Sequence, residues 1–275
     1  MNRAERRRQE RAQKKRTGGN MPLEVEMIHP WADVLMKVKL PQSILDAMLD
    51  ITDQVLQDPD RKNWGENLAG QIEDEPLIPH ELMQNYKVGT EGSVYGFFME
   101  IVGKYVQHCT IQQATQIDAY KVENIEWLTQ MLSCWVISQW EGEYNPIHIH
   151  TECQMSTVMY LKVPEFLPST KPERDDDGCI CFIGAGHVNS RLTRNLVKVK
   201  PKVGEFFIFP AHLQHCVYPF KTEGDQERRS VSFNADFINK DEYEKQQEMM
   251  KQQQQQQAPP PIQGAPEKLT INTET

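Results

Sequence analysis

The second half of the sequence, from about Ile125 onward, is a series of short apolar runs with no helical pattern between them. Clusters of turn-forming residues separate the runs, and the stretch 230–237 alternates with period two. Seven or eight such strands predict an antiparallel sandwich or jelly roll. The predicted strands are Trp127–Trp140, Ser156–Val163, Cys179–Ile183, Leu196–Lys200, Glu205–Phe209, Gln214–Phe220 and Arg229–Phe237.

Two helices are predicted ahead of these strands. The stretches from Pro41 to Leu56 and from Tyr95 to Gln116 carry apolar residues at helical spacings. Between them, Asp58 to His80 is rich in Pro, Gly, Asn and Asp and reads as a loop, whose length indicates a functional or substrate-facing role. Helices followed by an all-β half predict an α+β domain in which the helices buttress one sheet.

The two ends of the chain differ from its body. Residues 1–16 carry eight Lys or Arg against two Glu, whereas the whole chain has a net charge of −9, so the rest carries about −15. Near the other end, six consecutive Gln precede Ala-Pro-Pro-Pro, a composition that cannot bury a core. The sequence therefore predicts a basic flexible arm (1–24), a mainly helical region packing on the sheet (25–124), a β-rich catalytic core (125–245) and a disordered Gln/Pro-rich tail (246–275).

The composition excludes several classes of protein. An acidic body gives no strong signal for nucleic-acid binding, which needs a basic surface. No stretch approaches the roughly 20 apolar residues that span a bilayer, and the charged N-terminal stretch does not resemble a secretory signal. Six cysteines without a C-x-x-C pair are typical of a reducing compartment. We expect a soluble, cytoplasmic protein.

A candidate metal site consists of His148, His150 and the distant His215. Two imidazoles at i and i+2 of an extended segment project to one face, because side chains alternate along a strand. His215 follows a strand and a turn at Pro210, so two strands hold it in place. A third imidazole from that position completes a facial metal site with positions left open for chemistry.

A candidate carboxylate-binding pair follows on the last strand. A guanidinium on a strand beside a metal can grip a carboxylate bidentately, and Arg228 stands thirteen residues after His215. The Ser230 hydroxyl, two residues on, points to the same face and can add a hydrogen bond. A dicarboxylate cosubstrate that chelates the metal needs this combination.

Together these stretches resemble the 2-oxoglutarate and iron(II)-dependent oxygenases, and most closely a small bacterial and viral branch of that superfamily. The resemblance covers about residues 130–240 and rests on four matching stretches: His148-Ile149-His150, Ser156-Thr157-Val158-Met159-Tyr160-Leu161, Gly204 to His215, and Arg228-Arg229-Ser230-Val231-Ser232-Phe233-Asn234.

The resemblance implies a double-stranded β-helix fold and a dioxygenase that uses iron(II), 2-oxoglutarate and dioxygen. Iron would sit on His148 and His215, and Arg228 and Ser230 would hold the distal carboxylate of 2-oxoglutarate. Oxidative decarboxylation to succinate would be coupled to hydroxylation of a substrate, whose identity the sequence leaves open, as it does the oligomeric state.

The sequence departs from the superfamily at one ligand. The usual motif is His-x-Asp or His-x-Glu, whereas His150 stands at the carboxylate position here. Either all three histidines bind the metal, or the frame moves by two residues and His150 and Glu152 act with His215. The spacing to the strand containing Tyr160 favours His148 as the first ligand, so we prefer the three-histidine set.

Two further functions compete with the oxygenase. A cupin-type metalloenzyme shares the fold and a His-rich site, but it expects a Glu where Gln154 and Met155 stand, and it has no role for Arg228 or Ser230. A non-catalytic β-sandwich interaction or assembly protein fits the polar ends of the chain. That third reading leaves the His and Arg set without a role.

Overall fold

The computed structural model describes residues 33–89, 92–117, 125–171, 173–184 and 195–257, all within one compact unit that begins at Asp33. The helices are α1 (Gln42–Gln57), α2 (His80–Asn85), α3 (Val94–Ile117) and α4 (Lys240–Gln257), with one 3-10 turn at Gly65–Asn67. The strands are β1 (Met36–Lys39), β2 (Trp127–Gln139), β3 (Asn145–His148), β4 (Met155–Lys162), β5 (Ile180–Ile183), β6 (Leu196–Val199), β7 (Glu205–Pro210), β8 (Gln214–Val217) and β9 (Arg228–Asn239).

The strands form two antiparallel sheets. The large sheet has the order β1-β7-β4-β9-β2 and the small sheet the order β3-β8-β5-β6. From β2 onward the chain crosses repeatedly between the two sheets, and the eight strands β2 to β9 make the double-stranded β-helix, or jelly roll, predicted from the sequence. The α+β fold class is therefore confirmed.

The large sheet is buried on both faces, and the alternation of its side chains separates two cores. On β7, Phe206 and Ile208 belong to the core under the helices, whereas Phe207 and Phe209 belong to the core between the sheets. Strand β4 divides in the same way. This two-sided burial explains why these strands read as continuous apolar runs, because neither face meets solvent.

Helices α1 and α3 cover the outer face of the large sheet. Their buried side chains recur at spacings of three and four residues, which places them on one face of each helix. Phe98 on α3 is fully buried, and its ring contacts Phe206 and Phe233 edge-on at centroid distances of 5.3 and 5.7 Å. The predicted buttressing of one sheet by helices is what the structure shows.

Several elements differ from the predicted ones. Strand β1 lies in the region predicted to be mainly helical and pairs with β7, and β3 falls between two predicted strands. Helix α2 lies at the end of the predicted loop. Residues 246–257, predicted as the start of a disordered tail, continue helix α4, while 1–32 and 258–275 lie outside the described residues. These elements are short or polar. Their positions depend on partners that are distant in the sequence or on the adjoining strand, so the local residue pattern does little to predict them.

Among the described residues, no helix combines the length and apolar character that crossing a membrane requires.

Phe98→Ala tests the packing of α3 on the large sheet. We expect the free energy of unfolding to fall by about 3–5 kcal/mol, because the truncation leaves a cavity between two phenylalanine rings. Urea denaturation measures the change. The matched control is Met250→Ala on α4, where the side chain is 55% exposed and no comparable loss is expected. Equal stability of Phe98→Ala and wild type would contradict this account of the core.

Candidate metal centre

Two of the candidate histidines face each other across a pair of strands. His148, the last residue of β3, is directly opposite His215 on β8, and their ring centroids lie 4.2 Å apart. His150 follows β3 and is held by its backbone N–H, which donates to the Ala211 carbonyl at 2.9 Å. The turn between β7 and β8 thus fixes the second imidazole of the His148-Ile149-His150 motif beside the other two.

The three imidazoles form a cluster suited to a metal ion. One nitrogen from each lies within 4.8 Å of the others, and the Nε2 atoms of His150 and His215 are 3.3 Å apart. Nδ1 of His148 and Nδ1 of His215 donate to the carbonyls of Pro146 at 2.8 Å and Leu213 at 2.9 Å. A carbonyl only accepts, so these bonds place the proton on Nδ1 and leave the Nε2 lone pairs free.

Burial keeps the cluster in the form that binds metals. It lowers the pKa of His148, and together with the neighbouring imidazoles it lowers the pKa of His150 to about 3 and that of His215 to about 4. Each histidine is therefore neutral at ordinary pH. A neutral imidazole is a metal ligand, whereas an imidazolium is not.

Glu152, the alternative ligand, and His212, a nearby histidine, lie outside this cluster. Glu152 is exposed, has a positive φ of 57°, and is not part of the group whose ligand atoms converge. His212, in the turn before β8, has a side chain that is 73% exposed and contacts Asp33 at 3.0 Å. The geometry therefore brings together the three-histidine set and leaves the alternative with Glu152 apart.

The cluster opens into a cavity of about 630 Å³ between the two sheets. Every second residue of the first half of β9 lines it, in the order Arg228, Ser230, Ser232 and Asn234. Their neighbours Val231, Phe233 and Ala235 point into the core under the helices. The predicted carboxylate-binding pair and the three histidines thus line one cavity.

Arg228 and Arg229 are both buried, but only Arg229 is surrounded by carboxylate groups. Arg229 donates to Glu227 at 2.6 and 2.8 Å and also contacts Asp53 on α1. Arg228 donates to the Gln139 amide oxygen and lies 5.1 Å from the centre of the Tyr160 ring, while its Nε has no partner. Among the described residues, no carboxylate forms an ion pair with Arg228.

The long loop between α1 and α2 forms one wall of the cavity. Trp64, Leu68 and Glu75 line it from this loop. Glu75 is 1% exposed, and its Oε2 has no hydrogen-bond partner. Burial, with a smaller contribution from the charge of Glu143, raises the pKa of Glu75 to about 8.

Sequence reasoning did not single out Glu75 or Gln139. Glu75 ends the acidic run Glu73-Asp74-Glu75, and nothing in that run distinguishes a buried acid from an exposed one. Gln139 lies beside Arg228 only because β2 and β9 pair in that register.

Comparison with protein families agrees with the resemblance drawn from the sequence. Residues 133–234 match the family model described as "Putative 2OG-Fe(II) oxygenase". The matched segment contains every candidate metal and carboxylate-binding residue. The resemblance is thereby confirmed for this part of the chain, which is similar to a family whose description names iron(II) and 2-oxoglutarate. None of the curated proteins compared with the chain matches it.

Several solved structures are distantly similar. They include a prolyl-4-hydroxylase from Pseudomonas putida (13% identity, 74% of this chain and 91% of that chain, TM-score 0.42) and a prolyl hydroxylase from Trichoplax adhaerens in complex with a hypoxia inducible factor peptide (14%, 73% and 82%, TM-score 0.41). The epimerase SnoN of nogalamycin biosynthesis aligns at 14% identity over 75% and 77% of the two chains, with a TM-score of 0.44. The fold assignment rests on this chain's own strand order.

Glu75→Gln tests the buried acid. The pKa of this carboxyl is higher in the folded protein than in the unfolded chain. Its contribution to stability is therefore complete at pH values below its ordinary pKa of 4.5, and it is lost as the pH rises to about 8. We therefore expect Glu75→Gln to gain stability relative to wild type over this range. Urea unfolding at about pH 5 and about pH 9, without added metal, measures the difference.

The exposed Glu66 of the same loop supplies the control. Glu66→Gln removes one negative charge without touching the cavity, so its stability should follow wild type at both pH values. If Glu75→Gln also follows wild type at both, the buried carboxyl is not the protonated group inferred here.

Proposed function

We propose that this protein is a 2-oxoglutarate- and iron(II)-dependent dioxygenase that hydroxylates its substrate. The observation that carries the proposal is Arg228, a buried guanidinium without a carboxylate partner among the described residues, in the same cavity as three converging neutral imidazoles. The segment 125–245 is then the catalytic core, and the helical region supports its large sheet.

His148, His150 and His215 would hold iron(II). Imidazole is a good ligand for iron, and a facial set of three leaves the remaining positions for cosubstrate and dioxygen. The Nδ1 hydrogen bonds to the Pro146 and Leu213 carbonyls orient two of the rings and direct their Nε2 atoms inward. The exposed position of Glu152 and its absence from the cluster favour the three-histidine set over the set with Glu152.

Arg228 and Ser230 would hold the distal carboxylate of 2-oxoglutarate. An unpaired buried charge is costly, and a ligand carboxylate compensates it through charge-assisted hydrogen bonds. Ser230 is 1% exposed and lines the cavity on the same face of β9. The Gln139 amide, which accepts from Arg228, sets the position of the guanidinium.

Bound iron(II) and 2-oxoglutarate would supply the activation of dioxygen, which is the oxidant, and 2-oxoglutarate would give up two electrons and leave as succinate and carbon dioxide. The chain's own part is to position the reactants and exclude bulk water. Trp135 is 3% exposed, and its ring centroid lies 6.1 Å from that of His150. The ring centroid of Phe209 lies 4.9 Å from that of His215. The loop wall opposite leaves space for a substrate beside the histidines.

The ligand set can be tested by anaerobic titration with iron(II) and 2-oxoglutarate. We expect wild type to develop the weak visible charge-transfer band of the ternary complex and to form succinate when oxygen is admitted. His150→Ala and His215→Ala should lose both the band and iron retention, because each removes one of three ligands. Absorption spectra and bound-iron analysis provide the measurements.

Two controls make this test specific. His212→Ala removes the exposed imidazole three residues before His215 and should keep the band. Glu152→Gln should also keep it if the metal is bound by three histidines, and should lose it if the carboxylate is a ligand. Absence of the band in wild type at saturating concentrations would contradict the oxygenase proposal.

Arg228→Met tests the cosubstrate site. Saturating 2-oxoglutarate, at about 100 times its dissociation constant, should raise the unfolding free energy of iron-loaded wild type by about 2.7 kcal/mol, and this gain should disappear in the variant. Without cosubstrate we expect a change of no more than about 1 kcal/mol, because relief of the buried charge offsets the lost bond to Gln139. Denaturation with and without 2-oxoglutarate measures both.

The neighbouring arginine is the matched control. Arg229→Met removes the partner of Glu227 and Asp53 on the opposite face of β9, so it should destabilise the protein yet keep the gain from 2-oxoglutarate. A gain retained in Arg228→Met would rule out Arg228 as the carboxylate-binding residue.

A further inference from the structure

Glu75 is a buried acid in the cavity for which the proposed chemistry has no use. It lies at the end of the loop wall, where its backbone carbonyl accepts from the Trp64 N–H at 2.9 Å. The Arg61–Asp74 ion pair, at 3.2 Å, holds the base of the same loop. The carboxyl therefore has a fixed position, although its Oε2 has no hydrogen-bond partner.

A second acceptor lies next to it. A Cβ added to Gly70 would stand 2.7 Å from Asn145 Oδ1 and 2.9 Å from Glu75 Oε2, so both oxygens pack against the same glycine. Asn145 is the first residue of β3, on the strand that ends in His148, and it lines the cavity. Two oxygens thus converge on the side of the cavity formed by the loop.

The described lining holds few ionisable side chains, and its one arginine is assigned to 2-oxoglutarate. Apart from the histidines, these side chains are Arg228, Glu75 and Glu152. Lys62 lies 5.1 Å from the Trp64 ring but lines a neighbouring cavity. Glu143, the acid that acts on Glu75, already accepts from the backbone N–H groups of Glu73 and Trp140. Among the described lining residues, Glu75 therefore has no cationic side chain left as a partner once Arg228 is assigned to 2-oxoglutarate.

We propose that Glu75 and Asn145 bind a cationic nitrogen group of the substrate, a primary ammonium or a guanidinium. This inference rests on the proposed function, since it names the class of substrate for that same cavity. A cation would satisfy the orphan oxygen through a charge-assisted hydrogen bond, in the same cavity that the histidines line. The substrate is thus an amine or a basic side chain.

Binding should be accompanied by release of a proton. Burial and Glu143 keep Glu75 largely protonated at neutral pH while no cation is present, and an incoming cation favours the carboxylate. Proton release upon binding is a readout that a merely structural role of Glu75 would not produce.

Matched pairs of small probes test the proposal. Butylammonium is compared with butan-1-ol, and butylguanidinium with butylurea, by titration calorimetry on the full chain at neutral pH, with and without iron(II) and 2-oxoglutarate under nitrogen. Wild type should bind at least one cation about tenfold more tightly than its neutral analogue, the discrimination expected for one charge-assisted hydrogen bond. Buffers of different ionisation enthalpy should report proton release.

Glu75→Gln should reduce the preference for the cation to near unity and abolish proton release, while the neutral analogues bind as to wild type. The side chain is nearly isosteric, and thermal unfolding checks that the variant is folded. Glu66→Gln, in the same loop but exposed and away from the cavity, should keep both the preference and the proton release.

Three results would overturn the proposal: equal binding of cations and neutral analogues to wild type, a preference retained in Glu75→Gln, or no saturable binding of either cation. The two arms of the titration separate this proposal from the proposed function. If wild type shows a cation preference that depends on Glu75 but no charge-transfer band, the cation site is supported and the proposed oxygenase function is contradicted. If it shows the band but no preference, only the proposed cation site is contradicted.

Discussion

The alternation of side chains along the large sheet is the constraint on which the rest of the structure depends. Because successive residues of a strand face opposite sides, β9 can place Val231 and Phe233 under the helices while Ser230 and Ser232 line the cavity. A slip of one residue would exchange the two sets and bury polar groups in the helix core. The apolar core therefore fixes the register in which the cavity residues meet the histidines.

The two adjacent arginines show what this alternation achieves. Arg229 faces α1 and is neutralised by two acids, whereas Arg228 faces the cavity with an amide and an aromatic ring as its neighbours. A buried charge without a counter-ion lowers the stability of the empty protein, and the extensive core around Phe98 offsets that cost. The fold thus holds a buried guanidinium in the cavity without a carboxylate partner among the described residues, as the proposed cosubstrate site requires.

The loop between α1 and α2 contributes a separate part of the cavity wall. The histidines and Arg228 come from strands of the β-helix, whereas Glu75 comes from a loop that packs beside β2 through isolated bridges such as Leu77 with Trp135. In the proposed enzyme, chemistry and substrate recognition would therefore reside on different parts of the chain. Substitutions in a loop do not alter the register of the strands, so they leave the cluster of three histidines intact.

The sequence by itself determined the strand-rich half, the two long helices and the candidate residues, because period and residue type are local properties. It could not place β1, whose four residues become a strand only by pairing with β7, nor the contact of Gln139 with Arg228. It left His150 and Glu152 as alternatives, since both keep the same strand parity. Only the tertiary structure gave them different positions, because the Ala211 carbonyl holds His150 beside His215, whereas Glu152 is exposed, has a positive φ and lies outside the histidine cluster.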